Sequence, residues 1–373
     1  MRKILAVADK ELRQIRRDPL SLLMLLGLPA FMLVLYGFAL NFDVTHVALA
    51  VQDRDRSPES RALIASFVGS RWFDRVADPA PGEDLEALLE RRVAKAVLVV
   101  PERWSAGLAS GESRAVQLLL DGTDSTTATT ALGYARALVG EANAGRLEER
   151  RLRLGLPELP ALELRPRVWF NPELESTRFL VPGLMGFLLM LTAVLSTALS
   201  VVREKERGSL AQLRITPLTT LQLVLGKTLP YLGLSLLTAV IILLAARLLF
   251  GVVVSGPLLD LFLATLLYLV GALGFGLLIS TIADSQAMAF QVGLLTSLLP
   301  AVLLSGFIFQ IRAMPGWLQL ITLAVPARYY LVVLRGIILK GAGLGQFAGE
   351  LLALALFAAA VLTLAALRLR RDA

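Results

Sequence analysis

Six stretches of the chain run free of Asp, Glu, Lys and Arg for long enough to cross a bilayer: residues 19–40, 179–202, 228–246, 261–283, 285–311 and 351–367. About 20 consecutive apolar residues span a hydrocarbon core of roughly 30 Å, so each is read as a transmembrane helix. A further apolar stretch, 317–334, is interrupted by Pro326 and Arg328. An arginine at the bilayer centre costs about 2.5–3.5 kcal/mol on insertion scales. That stretch is therefore read as re-entrant or interfacial helices. Ahead of the first span, residues 1–18 place Ile4, Leu5, Ala8, Leu12 and Ile15 at helical spacing, with Lys10, Arg13, Arg16 and Arg17 largely off that face. This pattern predicts an amphipathic helix lying in the membrane surface.

Residues 41–177, between the first two spans, have a different period. VALAVQD (47–53), VAKAVLVV (93–100) and residues 115–120 read as strands. Helices are predicted from Ser57-Pro58-Glu59, an N-cap followed by proline in the first turn, and over 83–91, 101–109 and 126–153. Alternating strands and helices predict a small α/β domain. The fold class expected is thus an α-helical polytopic membrane protein with six transmembrane helices, an interfacial N-terminal helix and an inserted extracytoplasmic α/β domain. Its divisions are 1–18, 19–40, 41–177 and 178–373.

Composition agrees with the pattern. The 373 residues are 56% hydrophobic and only 18% charged, with a mean hydropathy of +0.68, whereas soluble domains carry about 25% charged residues. The absence of cysteine excludes disulfides, thiolate metal sites and cysteine nucleophiles. The one histidine, His46, has no nucleophile in a recognisable setting beside it and reads as a surface residue. Asp121-Gly122-Thr123-Asp124 offers two carboxylates, too few for a calcium loop, and reads as a turn. No metal site and no cofactor of the chain's own is expected.

The formal charge of +7 is explained by topology and not by nucleic acid. Basic residues crowd the segment before the first span, the loop with Arg203, Lys205, Arg207 and Arg214, and the end of the chain at Arg368, Arg370 and Arg371. Positive residues in short loops mark the cytoplasmic side, so both termini are placed there and residues 41–177 outside.

The span interiors contain no ionisable residue of the kind that ion-coupled carriers use. Gly226-Lys227-Thr228 has the end of a phosphate loop, but Leu221 stands where its first glycine belongs and the tripeptide opens a span. Lys227 is accordingly read as an interfacial lysine. The chain carries no ATPase site of its own, and its energy is expected from a partner. A docking place for that partner is the loop 203–227, charged at its start and amphipathic in its middle. Leu210, Leu213 and Ile215 form a short apolar edge beside Glu204, Glu206 and Arg207, between Gly208 and Pro217.

Four segments carry a resemblance to a known family: KELRQIRRDP (10–19), VALAVQDRDRSPESR (47–61), FNPELESTRFLVPG (170–183) and REKERGSLAQLRITPL (203–218). The last is the most specific. Together with the spans they make the chain similar, over essentially its whole length, to the type-2 ABC transporter permeases, in particular to multidrug-export-like members with a large outer domain. The resemblance implies an inner-membrane permease that exports hydrophobic or amphipathic compounds and is itself no enzyme. It pairs with a second permease, a copy or a relative, and with ATP-binding subunits that hold the ATP. Segment 203–218 becomes the coupling helix, with Glu204, Glu206, Arg207, Gly208, Leu210 and Leu213 facing the ATPase. Lys10, Glu11, Arg16 and Arg17 belong to the interfacial helix against membrane lipids. In similar exporters the outer domain contacts a periplasmic adaptor or gates the exit. No motif in it marks a substrate pocket. The competing reading is a membrane-anchored sensor or scaffold with a ligand-binding outer domain.

Overall fold

The computed structural model describes residues 2–39, 44–157, 167, 169–172, 175–208 and 219–371. In chain order the elements begin with α1 (Arg2–Arg16), α2 (Pro19–Leu22), a π-helical turn (Leu23–Gly27) and α3 (Leu28–Ala39). There follow β1 (Val47–Asp53), α4 (Pro58–Val68), β2 (Phe73–Ala77), α5 (Leu85–Glu90), β3 (Ala96–Val100), α6 (Trp104–Ala109), β4 (Gln117–Leu120) and α7 (Ser125–Arg153). The second half holds α8 (Ser176–Glu206), α9 (Thr220–Phe250), α10 (Leu258–Ile282) and α11 (Gln286–Leu299), the last extended by a π turn (Pro300–Leu304). It closes with α12 (Gly316–Thr322), α13 (Pro326–Lys340) and α14 (Ala348–Arg371). The chain divides into two compact units, residues 42–166 and the remainder.

The helical unit is a polytopic membrane bundle. Among the described residues, five helices are long and apolar enough to cross a bilayer: Ser176–Glu206, Val224–Phe250, Leu258–Ile282, Gln286–Leu304 and Leu344–Arg370. The first predicted span is helical from Pro19 to Ala39, with α2, the π turn and α3 following one another directly. The span expected to run to residue 311 stops at Leu304, where Ser305 and a positive φ of 82° at Gly306 end the helix. α12 and α13 are bent by 81° across a short break, as the Pro326 interruption requires. α13 then buries Ala327, Tyr330, Leu331, Leu334 and Ile337 inside the bundle.

α8 is the axis of this unit, with 83% of its apolar window buried against neighbours. Its fit to α10 depends on Gly276, where an added Cβ would collide with the backbone carbonyl of Val194. A backbone atom cannot rotate away, so the helices would have to part. Gly276→Val is expected to cost about 1–3 kcal/mol, seen as a lower unfolding midpoint in detergent. Gly233→Val, at a position with nothing within 4 Å, is the matched control and should leave only the small propensity effect. The α8, α10 and α13 contact also encloses two stacked tyrosines, Tyr268 and Tyr330, with ring centroids 4.0 Å apart. Tyr268 donates to the Gly186 carbonyl at 2.9 Å, and Tyr330 shares a 2.9 Å hydrogen bond with Thr265, so neither phenol is left unpaired away from water.

The second unit is built on a four-stranded sheet of order β2-β1-β3-β4, with β1 parallel to β2 and β3, and β4 antiparallel to β3. Continuous apolar runs in β1 and β3 suit central strands covered on both faces. On one face Leu49, Val51, Leu98 and Val100 pack with Phe67, Trp104 and Leu138; on the other, Ala50, Val97 and Val99 meet Leu85, Leu88 and Leu89 of α5. β2 carries no such signal, since only Phe73 of FDRVA is buried, and the sequence pattern misses it. β3 is shorter than the apolar run that predicts it. Residues 121–124 form a turn in which Asp124 caps α7, accepting from the Thr126 and Thr127 amides at 3.1 and 3.2 Å. The Thr127 hydroxyl and amide hold the Asp124 carboxyl below its ordinary range. His46 lies on the surface with Nδ1 3.1 Å from Asp74.

Candidate functional site

The helix predicted ahead of the first span forms as α1, and the face it turns into the bundle carries a carboxylate between two apolar residues. Val7, Glu11 and Ile15 are the buried residues of α1, while Leu5 and Leu12 are exposed. Glu11 is 1% exposed because two other elements meet it there. Lys227 of α9 places Nζ 3.2 Å from Glu11 Oε1, and Ser200 of α8 donates to Glu11 Oε2 at 3.3 Å.

The same lysine pairs with Glu204, and Lys10 of α1 closes the group by bonding both Glu204 and Glu11. Two carboxylates and two ammonium groups thus neutralise one another where α1, α8 and α9 converge. Burial opposes the Lys10 charge, but the hydrogen bond and attraction from Glu204, helped by Glu11, outweigh it and hold the ammonium above its ordinary pKa.

Lys227 was expected to be interfacial. It does stand near the start of a span, yet it is 2% exposed, because α1 lies across it. Gly226 permits that approach: an added Cβ would come within 2.7 Å of Val7 Cβ and 3.1 Å of the Ile4 carbonyl. Gly226-Lys227-Thr228 therefore forms a helix contact inside α9 and not a phosphate loop.

The last two turns of α8 are tied on both sides. Arg203 bonds Asp18, between α1 and α2, at 2.9 Å and Gln286 at 3.2 Å. Lys205 bonds Asp284 at 2.7 Å and the Ala283 carbonyl at 3.1 Å. Glu206 accepts from the Gln286 amide at 2.7 Å, at the first turn of α11. Arg207 caps α8 and is exposed, and Gly208 turns the chain out of the helix with a φ of 70°.

Of the residues expected to face a partner, Glu204 points into the chain, Glu206 is engaged with α11, and Arg207 and Gly208 stand at the open end. Leu210 and Leu213 lie outside the described residues. On α1, Lys10 and Glu11 join the buried group, and Arg16 and Arg17 are exposed. The sequence reading did not find Lys227, Ser200, Asp18, Asp284 or Gln286. Only the charges at the span ends hinted at them.

Beside this junction a cleft of about 360 Å³ opens between α3, α8 and α11. Leu28, Met32, Leu188, Leu195 and Phe290 make its walls, and Asp18 and Arg203 stand at its polar end. Its surfaces suit a molecule with an apolar body.

The arrangement, a polytopic bundle with a charged junction at the end of α8, can be compared with known proteins. The family described as ABC-2 family transporter protein matches residues 20–367. The chain belongs to the ABC-2 transporter family. The probable multidrug ABC transporter permease YbhS of Escherichia coli K12 is 32% identical over 341 residues, 91% of this chain and 89% of that protein. The similarly described YbhR is 31% identical over 90% of this chain and 89% of its own. The inner membrane transport permease YhhJ is 27% identical over all of this chain and 98% of its own. The chain thus covers between 89% and 98% of the length of these three relatives.

Proposed function

We propose that this ABC-2 chain is the membrane-spanning subunit of an ATP-driven exporter of hydrophobic or amphipathic compounds, with ATP bound and hydrolysed by a separate subunit. The observation that carries this reading is the end of α8. Its base is locked to α1 and α9 through ion pairs and to the start of α11 through hydrogen bonds to Gln286, and its exposed Arg207 and Gly208 lead into residues 209–218. A segment so anchored transmits a push from a docked ATPase to several spans at once. ATP binding shifts the permease between states only if docking energy differs between them.

In this reading the helical stretch from α2 to α3 completes six spans, both termini are cytoplasmic, and the unit 42–166 is extracytoplasmic. A second permease completes the path, and a periplasmic adaptor is a candidate partner of the outer unit. The apolar cleft with its polar end supports an amphipathic cargo. The relatives described as multidrug permeases support a drug-like one.

The test is purification of the tagged chain from its native membrane in mild detergent, with mass spectrometry of what copurifies. A soluble ATPase in stoichiometric amount is the expected result, together with no ATP hydrolysis by the chain alone. Robust ATPase activity from the isolated chain would overturn the reading. So would the absence of any ATPase under conditions that keep a known ABC transporter assembled.

A further inference from the structure

Within the unit 42–166 a cavity of about 450 Å³ lies between α7, α4, α6 and β4. Its floor is apolar: Leu63 and Phe67 of α4, Leu98 of β3 and Leu118 of β4. Three arginines line it, Arg114, Arg136 and Arg146, and no carboxylate does. Arg114 is matched by Glu112 at 2.6 Å, outside the lining. Arg136 and Arg146 have no acidic partner among the described residues.

Arg146 stacks over the ring of Trp104, with its Cζ 4.6 Å from the ring centroid. A stacked guanidinium keeps its N–H edge free for an acceptor and is held in place by the ring. Trp104 is itself 5% exposed, and its indole N–H is buried with no hydrogen-bond partner among the described residues. An unpaired buried donor is uncommon and costs free energy that an acceptor would recover. Elsewhere on α7, Arg151 pairs with Glu148 at 2.5 Å and Arg153 with Glu149 at 3.7 Å.

We infer that this cavity is a binding site for a small amphipathic organic anion, its apolar body on the Leu63, Phe67 and Leu98 floor and its acid group between Arg136 and Arg146. The cavity volume lies in the ordinary range of small-molecule sites, about 300–1,000 Å³. Arginine presents paired N–H donors that match a carboxylate. The site stands within one unit, so it does not depend on the exporter reading.

The test uses the full chain in lipid nanodiscs, with empty nanodiscs as blank, and equilibrium dialysis of 2-naphthoate. Its uncharged match is 2-naphthamide. Saturable binding at one site per chain is expected, about tenfold or more tighter for the acid than for the amide, since a charge-assisted hydrogen bond carries that factor. Arg136→Gln with Arg146→Gln should weaken the acid by about tenfold or more and leave the amide unchanged. Ala142→Trp, which keeps the charge but fills the cavity, should block both, and it carries the test should the double variant fail to fold. Uptake no greater than that of empty nanodiscs would overturn the proposal. Equal affinity for acid and amide, or binding indifferent to both sets of changes in folded protein, would do the same.

Discussion

Lys227→Met is expected to destabilise the chain by about 3–5 kcal/mol, the typical result of removing one partner from a buried ion pair. The substitution keeps a long unbranched side chain, one atom shorter, and deletes the ammonium with its charge and its hydrogen-bond donors. Glu11 and Glu204 would then share a pocket in which they are 1% and 3% exposed, with Lys10 as their remaining cation. Lys10 is nearly half exposed on its side chain, so part of its attraction is lost to water. Two carboxylates so placed repel each other, and neither can be hydrated without lifting α1 from α9.

The measurement is the unfolding midpoint of the detergent-solubilised chain, followed by proteolysis at residues 1–18, which should become accessible. Combining Lys227→Met with Glu11→Gln leaves Lys10 paired with Glu204 and should recover most of the loss. Replacing a whole buried ion pair by neutral groups is often close to neutral. A single variant as stable as the parent would show that the junction is hydrated and not closed.

The second large effect concerns coupling. Arg207→Glu is expected to lower transport in the assembled complex by about tenfold or more, because reversing a charge against a complementary surface costs several kcal/mol. The chain's own stability should change by no more than about 0.5 kcal/mol, as at an ordinary surface position. Arg207 suits this test because it is exposed at the end of α8. Changing Glu204 at the same time would confuse the result, since Glu204 bonds Lys10 and Lys227 inside the chain. The readout is efflux of a fluorescent amphipathic dye from cells carrying the complex, with copurification of the ATPase and the unfolding midpoint as parallel measures. Full efflux from the Arg207→Glu complex would remove this end of α8 from the mechanism. Lost efflux with a lowered midpoint would place the defect in folding.

The division of labour between sequence and structure follows from what is local. Runs such as residues 261–283 declare themselves as spans because hydrophobicity is a property of each residue and about 20 in a row suffice. Pro326 and Arg328 mark the α12–α13 bend for the same reason, and the strand runs of β1 and β3 and the N-cap at Ser57 are equally local. The charged segment 203–207, proposed as part of a docking place, is visible in the sequence because its charges are adjacent in the chain.

The junction itself is not legible. Glu11 and Lys227 are 216 positions apart, and each looks like an ordinary charge at a span end until α1 is laid across Gly226. The amphipathic pattern of α1 is read as a membrane-facing side that includes Leu5 and Leu12, both exposed, and polarity alone does not reveal that Glu11 has a buried cation waiting. Arg136 and Arg146 likewise read as solvated positions on a long helix, and only the packing of α7 over β4 and α6 sets them around a cavity with Trp104. The sequence by itself determined which segments leave water and the bend at Pro326, for that depends on each residue's own free energy of transfer and on proline's fixed backbone. Which buried charges meet, and which arginines are left without acids, was decided by tertiary structure, because pairing depends on side chains far apart in the chain reaching the same few ångströms.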